Sequence, residues 1–303
     1  MSYAYPPVAP TFSGDYETIS RFLNSPTAVA RRAQDLTMNR FISDVLLTGR
    51  TDVSGGAITY EVEDESLYTL RPVTSVSPGG EYELTNISST TPAVAKVTKW
   101  GQDTLVTDEA IKRQNFSAVE KGLGKLSNTL VKHVDSIALS LIASTVTASH
   151  AASAVWTGST ATILRDIMIA KSKVTSLNKG YDPNVLVVDD TTWAYIASDP
   201  TLMTARARED SGNTVYTGQF GVLAGLQILP SPNLPGGNGA WLIDTNALGG
   251  IADEDLGGGY TGDNVQTKSI REDLNDRWRL RARRVCVPYV TDPGAAIKIT
   301  GTV

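Results

Sequence analysis

The sequence of 303 residues contains one cysteine, Cys286, and two histidines, His133 and His150. A single cysteine excludes a disulfide framework and any zinc site built from C-x-x-C pairs. With only two histidines, acid–base catalysis by histidine, a catalytic triad or a histidine-ligated metal site is not favoured. The chain also lacks G-x-S-x-G, P-loop and H-E-x-x-H motifs, and no G-x-G-x-x-G follows a predicted strand. These absences predict a protein that is not an enzyme and that has neither a cofactor nor a metal.

Long apolar runs and charged residues are also scarce. The longest apolar stretch, around residues 137–143, is far shorter than the ~20 residues that a membrane span requires. The N-terminus lacks the basic start and apolar core of a secretory signal. We therefore expect no membrane partner, and a location in a reducing cytoplasm or in a particle assembled there. Charged residues make up 19% of the chain, with a net charge of −5. So low a content suggests that partners cover part of the surface, because solvated surface normally carries charge.

The first hundred residues predict an arm, a short helix and a long hairpin. Prolines at positions 6, 7, 10 and 26 and weak periodicity predict an extended arm up to about residue 25, and residues 27–47 contain a short amphipathic stretch. Apolar and polar residues alternate at 57–63 and again at 94–100, with turn signals between them. These patterns predict a β-hairpin over 55–100. Such a hairpin cannot bury enough apolar area alone, so we expect it to lie on a neighbour.

The middle of the chain predicts one long helix followed by a mixed α/β domain. Apolar residues three or four positions apart predict a helix over about 117–147; they are Phe116, Val119, Leu123, Leu126, Leu130, Val134, Ile137 and Leu141. A second amphipathic helix is predicted at 160–177 and a short one at 192–197. Buried strands are predicted at 184–189, 221–229 and 240–244.

Arginine alternates with an apolar residue near the end of the chain, at Arg277, Arg279, Arg281 and Arg283. The alternation predicts a strand with one packed face and one row of guanidinium groups. Such a row could bind phosphates, but the acidic balance of the chain is unlike that of nucleic-acid-binding proteins. A row of carboxylates is present on the predicted hairpin at Glu61, Glu63, Asp64 and Glu65. We therefore favour pairing of the arginines with the hairpin carboxylates of an adjacent subunit.

The order of these segments resembles that of the major capsid proteins of tailed bacteriophages, which have the Hong Kong 97-type capsid fold. The resemblance covers the chain from about residue 50 onward. It rests on residues 106–110, 184–190, 223–235, 279–283 and 293–295. It implies an α+β fold with an N-terminal arm and short helix at 1–54 and an extended E-loop hairpin at 55–105. A peripheral P-domain with a spine helix is implied at 106–158, with its return strands at 256–303, and an axial A-domain at 159–255.

The resemblance also implies a function in assembly. The expected protein forms hexamers and pentamers of an icosahedral shell around packaged double-stranded DNA, in a virion assembled in the host bacterial cytoplasm. Its expected partners are further copies of itself, a portal protein, and separate scaffold or decoration proteins. Two alternatives stay open: an encapsulin-like compartment with a protein cargo, and a cytoplasmic enzyme using Asp189, Asp190 and Asp244. The residues expected at contacts between subunits are Glu61, Glu63, Glu65, Tyr68, Arg71, Arg277, Arg279, Arg281 and Arg283.

Overall fold

The computed structural model describes residues 16–37, 41–62, 68–69, 71–85, 91–114, 116–158, 161–200, 202, 222–235, 239–262 and 265–302. The chain divides into two compact units. The first consists of the residues up to 41 together with 98–134 and 253–286, and the second of 42–97, 135–252 and the residues from 287 onward. Each unit buries apolar side chains of its own.

The helices and strands of the described residues have the following bounds. The helices are α1 Tyr16–Leu23, α2 Pro26–Thr37, α3 Ser43–Leu46, α4 Asp108–Gln114, α5 Phe116–Thr145, α6 Ile163–Thr175 and α7 Asp190–Ser198, with 3-10 turns at Asp273–Asn275 and Pro293–Ala295. The strands are β1 Gly49–Asp52, β2 Ala57–Val62, β3 Thr91–Lys96, β4 Thr98–Thr107, β5 Ser149–Ala151, β6 Val185–Val188, β7 Val222–Leu223, β8 Leu226–Pro230, β9 Ala240–Ile243, β10 Gly249–Asp253, β11 Gln266–Glu272, β12 Arg277–Val290 and β13 Ala296–Thr300.

The first unit is built on an antiparallel sheet in which β12 lies between β4 and β11. Trp278 and Leu280 of β12 are buried and belong to one apolar cluster with Val119 and Leu123 of α5. One face of the sheet therefore packs on the long helix, and the alternate residues of β12 point away from that core. This alternation places the arginines on one face, as the sequence pattern predicts.

The prediction of an extended segment is wrong for residues 16–23, which form α1. Ile19, Phe22 and Leu23 are spaced as one helical face and are buried in the core of the first unit. Pro26, which favoured an arm, is instead the first residue of α2, where its missing N–H costs no hydrogen bond. Two turns of helix carry too short a periodic pattern to be detected beside four prolines. Residues 1–15 of the predicted arm lie outside the described residues.

The long helix α5 lies where the apolar spacing predicts it. It spans 30 residues, which corresponds to about 45 Å at ~1.5 Å per residue. Its buried residues include Val119, Leu123, Leu126, Leu130 and Val134. Packing of this row against the rest of the chain, more than the helix propensity of the sequence, stabilises the helix.

The hairpin of the second unit pairs β2 with β3 in antiparallel register, from Ala57 opposite Lys96 to Val62 opposite Thr91. None of the described residues in β2, in β3 or at 68–85 is buried. The predicted second strand at 94–100 is divided at Val97, because the residues from Thr98 onward form β4 and pair with β12 in the first unit. The alternation continues across this division, so the pattern alone could not locate it.

The second unit also contains a six-stranded sheet in the order β5-β13-β9-β6-β8-β7. The strands β6 and β9 are buried along their whole length, and α6 packs against β13 and β9. The predicted boundary before residue 256 differs from this division, because β13 pairs with β9 and β5 and so belongs with the second unit. The composition of a short apolar strand is compatible with either sheet, so only its strand pairing shows to which unit β13 belongs.

The predicted strand at 221–229 is instead a tight hairpin of β7 and β8. Ala224 and Gly225 form its turn with φ of 55° and 79°. Two consecutive residues with positive φ match the right-handed twist of a hairpin. Because alanine rarely adopts this conformation, the sequence reads as one continuous apolar run.

Candidate interaction surfaces

The arginine row of β12 is half-buried at Arg277, Arg279 and Arg281 and buried at Arg283. We call these four residues the arginine row. Strand register places Arg281 opposite Asp103 of β4 and Arg277 opposite Glu272 of β11. Each of these arginines therefore has a carboxylate on a neighbouring strand of its own sheet.

These carboxylates pair with the row. Asp103 accepts hydrogen bonds from Nε and Nη2 of Arg281 at 2.6 and 2.7 Å, and Nη1 of Arg279 lies 3.7 Å from it. Glu272 accepts from Nε of Arg277 at 2.5 Å and pairs with Nη2 of Arg279 at 2.5 Å. Three of the arginines that were expected to pair with an adjacent subunit therefore have carboxylate partners within their own chain. The sequence did not reveal the pairing because Asp103 lies 178 residues from Arg281 along the chain.

The ion pairs change the acidity of the groups involved. Hydrogen bonding from Arg281 lowers the pKa of Asp103, and hydrogen bonding from Arg277 lowers the pKa of Glu272. The reciprocal bond from Asp103 raises the pKa of Arg281. All three groups are therefore ionised at neutral pH, and the two carboxylates neutralise part of the charge of the row.

The far end of the row is organised by Tyr260. The guanidinium of Arg283 lies 3.5 Å from the centre of the Tyr260 ring, and Arg281 donates to the Tyr260 hydroxyl at 3.2 Å. Arg283 also donates to Gln266 at 2.7 Å and to the carbonyl of Gly257 at 2.8 Å. An open groove of about 530 Å³ lies here, lined by Lys99, Gly101, Gln102, Asp103, Tyr260, Arg281 and Arg283. Three cations and one carboxylate leave this groove with a positive charge, which suits an anionic group.

The expected hairpin residues are only partly within the described part of the chain. Glu61 lies on β2, while Glu63 and Glu65 lie outside the described residues. The Tyr68 hydroxyl donates to the carbonyl of Asn178 at 2.9 Å, and Arg71 donates to the carbonyl of Leu84 at 3.4 Å. The structure thus brings the four arginines together, and Tyr68 and Arg71 make hydrogen bonds within the chain. Contacts of any of these residues with another subunit stay a prediction.

Large apolar side chains are exposed along the hairpin. Val73 is 99% exposed, Leu84 85% and Tyr82 81%. Tyr68 and Val94 are also more than half exposed. Soluble monomers rarely keep so many large apolar groups in water along one segment, and such surfaces mark sites of association.

The two histidines, metal-binding groups and membrane-spanning helices can be checked within the described residues. They contain no group of three histidine, cysteine or acidic side chains placed to hold a metal. None of their helices is long and apolar enough to span a bilayer. Of the two histidines, His133 packs edge-on against Trp100 and His150 lies 3.2 Å from the ammonium of Lys173.

Sequence and structure comparisons relate the chain to known proteins. A family model described as phage capsid protein matches residues 90–299. A comparison with curated protein sequences gives no match. A phage-related protein from Bordetella bronchiseptica RB50 matches in structure with a TM-score of 0.62 at 10% identity, over 90% of this chain and 96% of that one.

Two further solved structures have similar folds. The capsid of cyanophage P-SCSP1u has a TM-score of 0.59 at 15% identity, over 84% of this chain and 86% of its own. The SrpI encapsulin of Synechococcus elongatus PCC 7942 has a TM-score of 0.57 at 12% identity, over 86% of both chains. At such identities the likeness shows the fold alone. The predicted α+β fold of Hong Kong 97 type is confirmed.

Proposed function

Because the chain belongs to the phage capsid protein family, we propose that it builds the icosahedral shell of a tailed phage around double-stranded DNA. Copies assemble into hexamers and pentamers, and these close into the shell. The chain is a shell-forming capsid protein of the Hong Kong 97-type fold. Its proposed location is the virion, assembled in the cytoplasm of the host bacterium. A portal protein and separate scaffold or decoration proteins complete the proposed set of partners.

The observation that carries self-assembly is the unburied hairpin. The described residues of the hairpin include none that is buried, and although Tyr60 packs against Tyr289, an isolated two-stranded hairpin is only marginally stable. Val73, Tyr82 and Leu84 together leave almost their whole side chains in water. Covering each contributes about 1.5–3 kcal/mol at ~25 cal/mol per Å². We propose that a neighbouring copy of the chain covers these three side chains.

The arginine row contributes differently from the sequence-based expectation. Asp103 and Glu272 already neutralise much of it, so the hairpin carboxylates of a neighbour are not needed to pair these cations. The groove beside Tyr260 keeps an excess of positive charge at Lys99 and Arg283. We propose that an acidic group of an adjacent subunit enters this groove, and the carboxylates at Glu61, Glu63 and Glu65 are the candidates.

An encapsulin-like compartment is the second candidate. It is favoured by the structural match to the SrpI encapsulin, which covers as much of this chain as the phage capsids do. The two functions share the shell and differ in the contents. Both assign the protein a structural role and no enzymatic activity.

Negative-stain electron microscopy with light scattering tests the shell. The wild-type chain should form closed shells or capsomer rings. The triple variant Val73→Ser, Tyr82→Ser and Leu84→Ser should remain unassembled, because it lacks the apolar contact. A control variant, Val155→Ser, Leu177→Ser and Leu256→Ser, removes three apolar side chains that are about half exposed elsewhere and should assemble. A hairpin variant that assembles like the wild type would remove the argument from the hairpin.

The contents of particles isolated from the native source separate the two candidates. Nuclease-resistant double-stranded DNA inside the shell supports the phage capsid. An enclosed enzyme without DNA supports the compartment. A small oligomer that does not change at high concentration, even with co-expressed neighbouring gene products, contradicts both.

A further inference from the structure

The helix α5 exposes a row of lysines on the side opposite its buried residues. Lys121, Lys125 and Lys132 are exposed, and at about 100° per residue they lie within about 40° of one another around the helix axis. Within the part of the chain that the structure describes, none of the three side chains forms an ion pair or a hydrogen bond. We call these three residues the lysine face.

Between positions 117 and 133, α5 itself carries no acidic residue on the side of the lysine face. The other exposed residues of α5 between positions 117 and 133 are Ser117, Asn128, Thr129 and His133. Glu120 is the single acidic residue of that stretch, and it lies about 100° around the helix from Lys121. It is bonded to Arg32 of α2 at 2.7 Å. A chain with a net charge of −5 thus presents one helix face that carries positive charge alone.

The composition of the lysine face is unlike that of a protein-binding surface. The cores of protein interfaces are enriched in aromatic residues, methionine and arginine and depleted in lysine and serine. The hairpin exposes aromatic residues of the first kind, Tyr68 and Tyr82, beside the apolar Val73 and Leu84. The lysine face has the second, because no large apolar side chain is exposed on α5 between 117 and 133. Lysine, serine, threonine and asparagine are instead the side chains that contact phosphate groups.

The lysine face also differs from the arginine row in its available charge. Arg277, Arg279 and Arg281 of the row are paired with Asp103 and Glu272 over distances of 2.5–2.7 Å, so a ligand of these three would have to displace the carboxylates. The three lysines have no such partner to lose. Outside the groove beside Tyr260, a polyanion that binds the first unit is therefore attracted more strongly to α5 than to the polar face of the sheet.

We propose that the lysine face of α5 binds the phosphate backbone of double-stranded DNA without sequence preference. This inference rests on the proposed function, in which the shell encloses DNA. Successive lysines are separated by about 6 and 10 Å along the helix axis. Duplex DNA carries one charge per about 1.7 Å of its length, so a phosphate is available to each lysine in any register. Such binding is weak and tolerates sliding of the DNA.

The salt dependence of DNA binding tests the proposal. Each neutralised phosphate contributes a slope of about −0.9 to log K against log salt, so three lysines contribute about −2.7. Between 50 and 200 mM salt this slope corresponds to about 40-fold in affinity. The measurement is the fluorescence anisotropy of a labelled 30-base-pair duplex titrated with the unassembled full chain.

The test variant is Lys121→Gln, Lys125→Gln and Lys132→Gln. These residues lie opposite the buried row of α5, so the fold should be retained, and circular dichroism checks this. The control, Lys96→Gln, Lys112→Gln and Lys179→Gln, changes the net charge equally. We expect the control to keep the wild-type slope and the test variant to lose about 2.7 from it. Equal slopes in both variants, or no binding of the duplex by the wild type, would overturn the proposal.

Shell formation by the same variants identifies the competing partner. If the test variant keeps the DNA slope but no longer forms shells while the control does, the lysine face meets the carboxylates of a neighbouring copy, and the DNA proposal is overturned. The DNA measurement uses unassembled chain, so it stays readable even when the wild type fails to form shells. That failure would count against the proposed function alone.

Discussion

The ion pair of Asp103 and Arg281 allows a quantitative test of how the arginine row is held. The two hydrogen bonds, at 2.6 and 2.7 Å, join side chains that are 28% and 35% exposed. Hydrogen bonds to charged groups contribute about 1.5–3 kcal/mol when protected, and exposed ion pairs about 0.2–1 kcal/mol. For this intermediate exposure, with solvent screening, we expect a coupling of about 1–1.5 kcal/mol.

A double-mutant cycle measures this coupling directly. Asp103→Asn, Arg281→Gln and the double variant are unfolded in urea as unassembled chains, and circular dichroism and tryptophan fluorescence follow the transition. The pair of Arg32 and Glu120 is a matched control, because it has one hydrogen bond at 2.7 Å and side chains 43% and 41% exposed. Its coupling should be below about 0.5 kcal/mol.

The pH dependence gives a second, independent readout. Because the bond from Arg281 lowers the pKa of Asp103, the folded state holds this carboxyl ionised to lower pH than the unfolded state does. The stabilisation is therefore fully present above the unfolded value of about 3.9 and is lost as pH falls through the lower folded value. The stability difference between wild type and Asp103→Asn should be constant from pH 7 to 5 and shrink below pH 4. A coupling near zero would refute the reasoning, and would mean that the arginines are available to another subunit.

Three further predictions concern the interior. Gly250→Ala should destabilise the chain by about 1–3 kcal/mol in urea unfolding, because the added Cβ would clash with the carbonyl oxygen of Gly49. Gly124→Ala in α5, where the space around the added Cβ is open, should instead stabilise the chain by about 0.5–1 kcal/mol. Arg284 is fully buried and donates hydrogen bonds to Asp253 at 3.1 and 3.2 Å. Asp253→Asn should therefore lower the free energy of unfolding by about 3–5 kcal/mol. Replacing both Arg284 and Asp253 by apolar residues should lower it by less. Burial raises the pKa of Asp135, so the free energy of unfolding should increase as pH falls from 7 towards the unfolded pKa near 3.9. Asp135→Asn should lack this pH dependence. A variant with the same pH profile as the wild type would contradict the raised pKa of Asp135.

The long elements of the fold could be predicted from the sequence because their patterns are local. Apolar residues at three- and four-residue spacing located α5, and alternation located β2 and β12. What failed depended on pairing between distant parts of the chain. Residues 16–23 form a helix because they have an apolar core to pack on, and β4 separates from β3 because β12 offers hydrogen bonds. Neither the apolar core next to residues 16–23 nor the strand β12 next to β4 can be identified from local sequence patterns.

For the candidate surfaces too, features set by local sequence patterns could be predicted, whereas contacts between distant parts of the chain could not. The alternation of arginine with apolar residues correctly indicated one basic face, because a strand has a period of two. Asp103, one partner of that face, lies 178 residues from Arg281 and depends on the register of β4 with β12, so it could not be found by spacing, whereas Glu272 lies only five residues from Arg277. The lysines of α5 were present in the same pattern that predicted the helix. Their spacing alone does not distinguish a binding face from an ordinary solvated face of a helix.

If a neighbouring copy covers the hairpin, as proposed, assembly depends on the concentration of the chain. Three nearly bare apolar side chains supply about 4–9 kcal/mol when covered, which is comparable with the roughly 4–15 kcal/mol that association of two molecules costs in lost freedom. One such contact therefore scarcely holds two chains together, whereas a chain joined to several neighbours is retained. Growth then has a threshold concentration, and a wrongly placed chain leaves before others lock it in. The weakness of each single contact is thus what lets a shell of many copies correct its own errors.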